Sequence, residues 1–399
     1  MSANRIMTTH VGSLVRPARL IEFLKLTESG AEYDSNAFSA CLRESVAEVV
    51  EQQAAAGVDF VSDGEFGKSG SWSWYIAKRI AGVIQRPATT EEINDPYLAL
   101  GPWRDQAAFP EFYAEYFPIQ NLRMAPVPNL SVCQGPIRYI GQALIARDIA
   151  NLKAAVGDVD VEGAFLPVVA PFSAFPTLKD EHYGNPRDLL MALADAMREE
   201  YRAIIDAGLM LQIDDAFLPF MYERLVPPMT LAQYRAWAEM RVDALNHALE
   251  GIPERRIRYH ICWGSWNGPH TFDVPLKDIV DLVLKVRAGA YLFEAANPRH
   301  EHEWTVWRDV KLPAGKILVP GVISHATNVV EHPELVAERL VRLAKIAGRE
   351  NVMGGTDCGF AQGPFIRRVH PTIQWAKLKA LAEGAQLATI ELWGRKQAA

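Results

Sequence analysis

Four times along this 399-residue chain a helix-like stretch ends in Ala-Gly, an apolar run follows, and acidic residues close it. AAAGVDFVSDGE closes at Asp63 and Glu65, IIDAGLMLQIDD at Asp214 and Asp215, KVRAGAYLFE at Glu294, and KIAGRENVMGGTDC at Asp357 and Cys358. Glycine is the residue that adopts the left-handed conformation ending a helix. The runs after it are continuously apolar, as strands covered on both faces should be. This is the punctuation of repeated βα units, hence of a parallel sheet. RIMTTHVG, NLSVCQGP, RIRYHICW and GKILVPGVI bring the strand candidates to eight. Eight parallel strands with intervening helices close most simply as a (β/α)8 TIM barrel, an α/β fold; a doubly wound open sheet is the runner-up. A ninth apolar run, AFLPVVA (164–170), sits amid Pro and Gly before a long helix over 186–206, and is assigned to an insertion. The expectation is one domain over 1–399, with insertions at about 85–130, between strands 2 and 3, and about 150–185, before strand 4. The aromatic, acidic segment FPEFYAEYFP (109–118) reads as an inserted lid or a homo-oligomer contact.

Composition narrows the function classes. Hydrophobic residues make up 49% of the chain, ample for a large core. Net charge is −7 and no Lys/Arg run occurs, which argues against a nucleic-acid partner. MSANRIMTTHVGS has no apolar signal-peptide core, and GAFLPVVAPFSAF is short and broken by Pro171, so no membrane is expected and the cytoplasm is the expected location. Disulfides are not expected there. Of four cysteines, Cys41 shares a helical stripe with Leu42, Val46 and Val49, and Cys133 lies in a strand-like run; both read as packing. Cys262 and Cys358 differ, because each ends a strand-like run beside polar residues.

Chemistry in such a barrel sits at the C-terminal ends of the strands. The chain puts His10 and Ser13, Asp63 and Glu65, Asp214 and Asp215, His260 and Cys262, Glu294, His325, and Asp357 and Cys358 there. In YHICWGSW (259–266) the histidine and cysteine are two apart, so on an extended chain both face one point. Glu294 follows one βα unit later and Cys358 two units after that. Zinc favours this mixture of sulfur, imidazole and carboxylate. Singly, each residue reads as core, cap or ion-pair partner; together, on evenly phased strand ends, a zinc ion is the better reading. His300 and His302 could compete as ligands, but a charged loop holds them. Three tryptophan pairs, Trp72 and Trp74, Trp263 and Trp266, and Trp304 and Trp307, flank the proposed mouth and suit a flat or apolar alkyl donor, with loop packing as the alternative. Arg16 and Arg299 could pair a substrate carboxylate or sulfonate.

These residues carry a resemblance. TTHVGSLVRP (8–17), VSDGEF (61–66), CQGP (133–136), LQIDD (211–215), HIC (260–262), FEAANPRHEHEW (293–304), PGVISHATN (320–328) and GGTDCGF (354–360) resemble the catalytic barrel of the cobalamin-independent methionine synthases and their shorter relatives, which include epoxyalkane:coenzyme M transferase. The resemblance implies a zinc (β/α)8 barrel that transfers an alkyl group to a thiol. It implies that His260, Cys262, Glu294 and Cys358 hold Zn2+, and that Ser13, Glu65 and Asp214 bind an amino-acid thiol. Gly12 beside Ser13 would let the substrate approach the backbone closely. His325, near the family's proton-handling histidine, is the candidate catalytic acid. The sequence departs from the family in lacking the long N-terminal half, the basic folate-binding stretch in 118–130, and the tryptophan after Gly-Pro in GPIRYIGQ. Ser324-His325-Ala326 also stands where an Asp-x-His is expected.

The expected activity is zinc-dependent S-methylation of homocysteine in methionine biosynthesis, with a small-molecule methyl donor of the methyl-folate type or another. The alternative is alkylation of another thiol, such as coenzyme M, by an epoxide or an aryl methyl ether. Trp263 and Arg299 are added as substrate contacts, and Glu294 is expected to loosen when substrate sulfur arrives. A metal-free decarboxylase of the uroporphyrinogen type is disfavoured by Glu294 and Cys358, and a closed structural zinc site by a carboxylate at the mouth.

Overall fold

The computed structural model describes residues 4–119, 127–157 and 159–394; part of the 118–130 loop therefore lies outside the described residues. Seven parallel strands form one curled sheet: β1 (Phe60–Val61), β4 (Gly163–Val169), β6 (Met210–Asp214), β7 (Ile257–His260), β8 (Ala290–Glu294), β9 (Ile317–Ile323) and β10 (Gly355–Thr356), in that order. The N-terminal segment joins its two edges. Thr9 N–H donates to the Gly354 carbonyl at 2.9 Å, and Phe60 N–H to the Thr8 carbonyl at 3.1 Å. Thr8 and Thr9 make parallel bridges to Gly354 and Phe60. The segment is the eighth stave, and the TIM-barrel expectation holds. Among the described residues no helix is long and apolar enough to cross a membrane.

One strand is reassigned. NLSVCQGP is not in the barrel: β3 (Asn129–Tyr139) pairs antiparallel with β2 (Ile80–Pro87) and parallel with β5 (Leu178–Asp180) in a separate three-stranded sheet. The barrel position belongs to AFLPVVA, placed in an insertion above, which forms β4 between β1 and β6. The physical reason is burial. Strand β4 is buried along nearly its whole length, whereas β3 alternates buried and exposed toward its end. A continuously apolar run suits a strand covered on both faces. Pro167 disguised it, since proline is uncommon within a ladder. The first insertion, about 85–130, thus connects β2 to β3, and the second, about 150–185, gives β4 to the barrel and keeps β5.

Alternation along the strands aims the site. Ala290, Leu292 and Phe165 pack inside the barrel, while Tyr291 and Phe293 pack outward against the helices. The same period of two puts Gln212 and Asp214, Arg258 and His260, and Leu292 and Glu294 on inward-facing positions, with the last of each pair nearest the C-terminal mouth. Below them Arg258 donates to the His10 carbonyl at 2.8 Å and lies 3.7 Å from the Phe165 ring centre.

A buried ionic network ties the extra sheet to the barrel helices. Arg79, just before β2, donates to Glu200 at 2.8 Å and to Asp148 at 2.6 Å, and Tyr139 hydroxyl donates to Glu200 at 2.6 Å. All four are nearly inaccessible. Removing one partner leaves uncompensated buried charge. Arg79→Ala is expected to lower the unfolding free energy by about 3–5 kcal/mol, read from urea denaturation midpoints.

Candidate metal centre and substrate cavity

His260 closes β7, Cys262 follows it, and Cys358 follows β10. One donor atom from each lies within 4.8 Å of the others. The two sulfurs are 3.8 Å apart, far beyond disulfide length, and both thiols are buried and free. Their positions are fixed from behind. His260 Nδ1 sits 3.1 Å from Asp214 Oδ1, which also accepts from Gln212 at 2.9 Å. Asp357 Oδ1 accepts the backbone N–H groups of Ala295 and Ala296 at 2.8 and 2.9 Å, locking the end of β8 to the end of β10. Gly321 permits this closeness: a Cβ there would come within 2.4 Å of Asp357 Cα. Asp215 accepts from Ser173 at 2.6 Å and Tyr259 at 2.8 Å, and so braces β7 from outside.

Glu294 is beside this cluster but not among the donors within 4.8 Å. Its carboxylate accepts the Trp263 N–H at 2.9 Å and the Asn297 side-chain amide. Burial raises its pKa. Contact with Cys358 and burial push the Cys262 thiol well above its ordinary value. Without a cation, its place beside a second buried sulfur keeps the Cys262 thiol protonated.

A cavity of about 370 Å³ opens over the cluster. Ser13, Glu65 and Asp214 line it with His260, Cys262 and Cys358. Glu65 occupies the left-handed region at φ 61°, with Lys68 Nζ 3.4 Å from its Oε1, while its Oε2 has no partner. Burial pushes its pKa up to about 7 despite Lys68 and Arg16. Gly12, at φ 138°, does admit a close approach, but by Pro167 and Glu65, which a Cβ would meet at 2.8 and 3.3 Å. His10 is not at the cavity: Gln53 and the Gly12 N–H bind its two nitrogens at 2.6 and 3.1 Å, and burial lowers its pKa to about 3.

Aromatic rings build the opposite wall. Trp72 stacks on Phe217 at 5.5 Å, and Phe220 lies one helical turn further along. The 109–118 segment forms a helix, Pro110–Ile119, whose Tyr116 and Phe117 line the cavity. Tyr113 hydroxyl accepts from Trp266 Nε1 at 3.0 Å; Tyr116 hydroxyl accepts from the Asn267 N–H at 2.9 Å and Arg368 at 2.8 Å. These contacts seat the segment over the mouth as a lid. The sequence did not single out Trp103, Phe217, Phe220, Arg224 or Arg368. Only the folded insertion brings them together.

Other expected residues fall elsewhere. Trp263 is fully buried, stacked on His300 at 4.0 Å and donating to the Val274 carbonyl, so it faces neither substrate nor solvent. Trp74 is exposed, and Arg16 is buried under Glu65, whose carbonyl it binds. His325, Glu294 and Arg299 line a second cavity of about 410 Å³ beyond Gly264 and Trp266. Burial and Arg368 lower the His325 pKa to about 3. A buried neutral imidazole in the other cavity is poorly placed to protonate a leaving group in the first. His300 is held by Asp273 and Glu303 at 2.9 and 2.8 Å, which fixes it as a loop brace rather than a ligand.

Glu65 gives a pH prediction. Its folded pKa of about 7 exceeds the ordinary 4.5. The stability contributed by its protonated form is therefore complete below about pH 4.5 and lost as pH rises through 7. Between pH 5 and 8, wild type should lose up to about 3 kcal/mol relative to Glu65→Gln, read from paired denaturation curves.

No family model matches the chain. It is 25% identical over 388 residues to a 2-hydroxypropyl-CoM lyase from Xanthobacter autotrophicus, covering 90% of this chain and 88% of that protein. It is 23% identical over 388 residues to a methionine synthase from Saccharolobus solfataricus, covering 96% and 95%. The solved structure of a B12-independent methionine synthase from Shewanella sp. W3-18-1, in complex with selenomethionine, superposes with a TM-score of 0.69 at 18% identity, over 98% of this chain and 100% of that one. Over nearly its whole length the chain is thus similar to proteins named methionine synthase and 2-hydroxypropyl-CoM lyase, and it shares the barrel fold of a B12-independent methionine synthase.

Proposed function

We propose that the chain is a zinc enzyme that transfers a methyl or other alkyl group to the sulfur of an amino-acid thiol of the homocysteine type. The observation that carries this reading is the Cys262–Cys358 pair with His260, set in the same cavity as Glu65 and Asp214. The donor set fits zinc. Two sulfurs at ~2.3 Å from one tetrahedral ion would stand about 3.8 Å apart, the separation found here. Buried adjoining sulfurs carry negative charge only at a high cost until a dication neutralises it. Glu294, now retained by Trp263 and Asn297, is the fourth ligand of this reading.

When bound, zinc would hold a substrate thiol as its thiolate at neutral pH, where a free thiol is mostly protonated. The chain's own residues do the rest. Glu65 and Asp214 offer two carboxylates to an ammonium group, and the open Oε2 of Glu65 is a buried acceptor in need of a donor. Ser13 adds a hydroxyl beside Cys358, packed so closely that a Cβ on Gly359 would fall 1.8 Å from its Oγ. A thiol carrying a sulfonate instead of an ammonium would meet those acids unfavourably. The lid helix and aromatic wall exclude water from the sulfur and its target.

Cys262→Ser and Cys358→Ser should each reduce bound zinc from about one ion per chain to none and abolish thiol alkylation, by metal analysis and a homocysteine consumption assay. Retention of full metal by either variant would refute the ligand assignment. Asp357→Ala, which frees the end of β8, should weaken metal retention about 10–100-fold in a chelator competition. Zinc added to the metal-free protein should release protons from the two thiols, measured in weakly buffered solution.

A further inference from the structure

The aromatic wall contains half-buried positive charge that thiol binding leaves unused. Arg224 lines the cavity, with its guanidinium 4.6 Å from the Trp103 ring centre and 4.9 Å from that of Phe220. Its Nη1 donates to the Ala99 carbonyl at 2.8 Å, but its Nε is buried without a partner. Arg368, also on the lining, donates to Tyr116 on the lid. The acids of the same cavity have other neighbours: Glu65 sits with Lys68, and Asp214 with His260. The cavity therefore holds carboxylates beside the sulfurs and the Arg224 guanidinium among the rings.

The rings form a connected surface. Trp266 meets Phe220 at 5.2 Å and Trp103 at 6.0 Å between centroids. Trp266 is folded back onto its own loop, which only glycine allows: a Cβ on Gly264 or Gly268 would come within 1.9 or 2.0 Å of the indole. At about 370 Å³ the cavity is near the lower end of ligand sites, roughly 300–1,000 Å³, and must also admit the thiol. What fits beside rings and a half-buried guanidinium is small, flat and anionic.

Resting on the zinc thiol-alkylation reading, we propose that the alkyl donor is a monocyclic aromatic acid carrying its methyl group on a ring oxygen, with the ring against Phe220 and Trp266 and the carboxylate on Arg224. The reaction balances without a redox partner. The thiolate sulfur bonds to the methyl carbon as the aryl O–CH3 bond breaks. The electron pair stays on the phenolate, which takes its proton from water, and the products are a thioether and a phenol.

The test uses the full-length zinc-loaded protein and 4-methoxybenzoate, with anisole, 4-methoxycyclohexanecarboxylate and methyl iodide as comparison probes. Titration calorimetry should show 4-methoxybenzoate binding at least about tenfold more tightly than either neutral anisole or the non-planar acid. Arg224→Gln should erase the preference over anisole, while Arg224→Lys retains part of it; thermal melts of both variants confirm that they are folded. Homocysteine should then be methylated with release of 4-hydroxybenzoate. Equal binding of anisole overturns the proposal. So does an Arg224→Gln variant that raises the KM for homocysteine while leaving 4-methoxybenzoate affinity unchanged, since Arg224 would then hold the thiol's own carboxylate. Zinc-dependent methylation of homocysteine by methyl iodide without turnover of 4-methoxybenzoate sinks this inference alone. Absence of zinc-dependent alkylation with every donor sinks the underlying reading instead.

Discussion

The closure of the barrel by its N-terminal segment is the constraint on which the site depends. Thr8 and Thr9 hydrogen-bond to the strand edges at Gly354 and Phe60, and thereby fix β10 in the ring. Cys358 follows β10 directly, nearly a hundred residues from Cys262. A loose last strand would leave the two sulfurs with no reason to meet. Asp357 reinforces the same point from the mouth by gripping the backbone after Glu294. Closure and chemistry thus share residues one position apart.

Electrostatics divides the cavity. Desolvation dominates at Glu65, Asp357 and Cys262 or ranks just behind a neighbour's contact, and in each it favours the uncharged form. Such a cluster costs stability and is reasonable only where a cation compensates it. Zinc at the sulfurs and an ammonium at the acids are the compensations proposed. At the other wall a guanidinium, that of Arg224, is set against the rings of Trp103 and Phe220. The two walls ask for two different partners, as a transfer between two substrates requires.

The insertion supplies specificity to a common barrel. Its ionic anchor at Arg79 holds the extra sheet, and its Tyr113 and Tyr116 lock the Trp266 loop. The aromatic and acidic character of 109–118 was visible in the sequence, and its role as a lid was one of two readings offered there. The partners it meets were not visible, because Trp103, Phe220 and Trp266 come from three distant segments with no shared pattern.

By itself the sequence determined the βα rhythm, and with it the inward aim of Asp214, His260 and Glu294, since a period of two fixes which side chains face the barrel axis. The pairing of Cys262 with Cys358 was legible for the same reason: both follow strand ends, and strand ends ring one mouth. Three things only the tertiary structure decided. It exchanged NLSVCQGP for AFLPVVA as a stave, because burial on both faces is a property of neighbours and not of the run. It turned Glu294 toward Trp263 and Asn297, and His325 into a second cavity, because a side chain at a strand end follows the loop that receives it. It buried Trp263 and exposed Arg299, because residues beyond a strand no longer obey its alternation, and their placement is set by whatever surface the rest of the chain has left to fill.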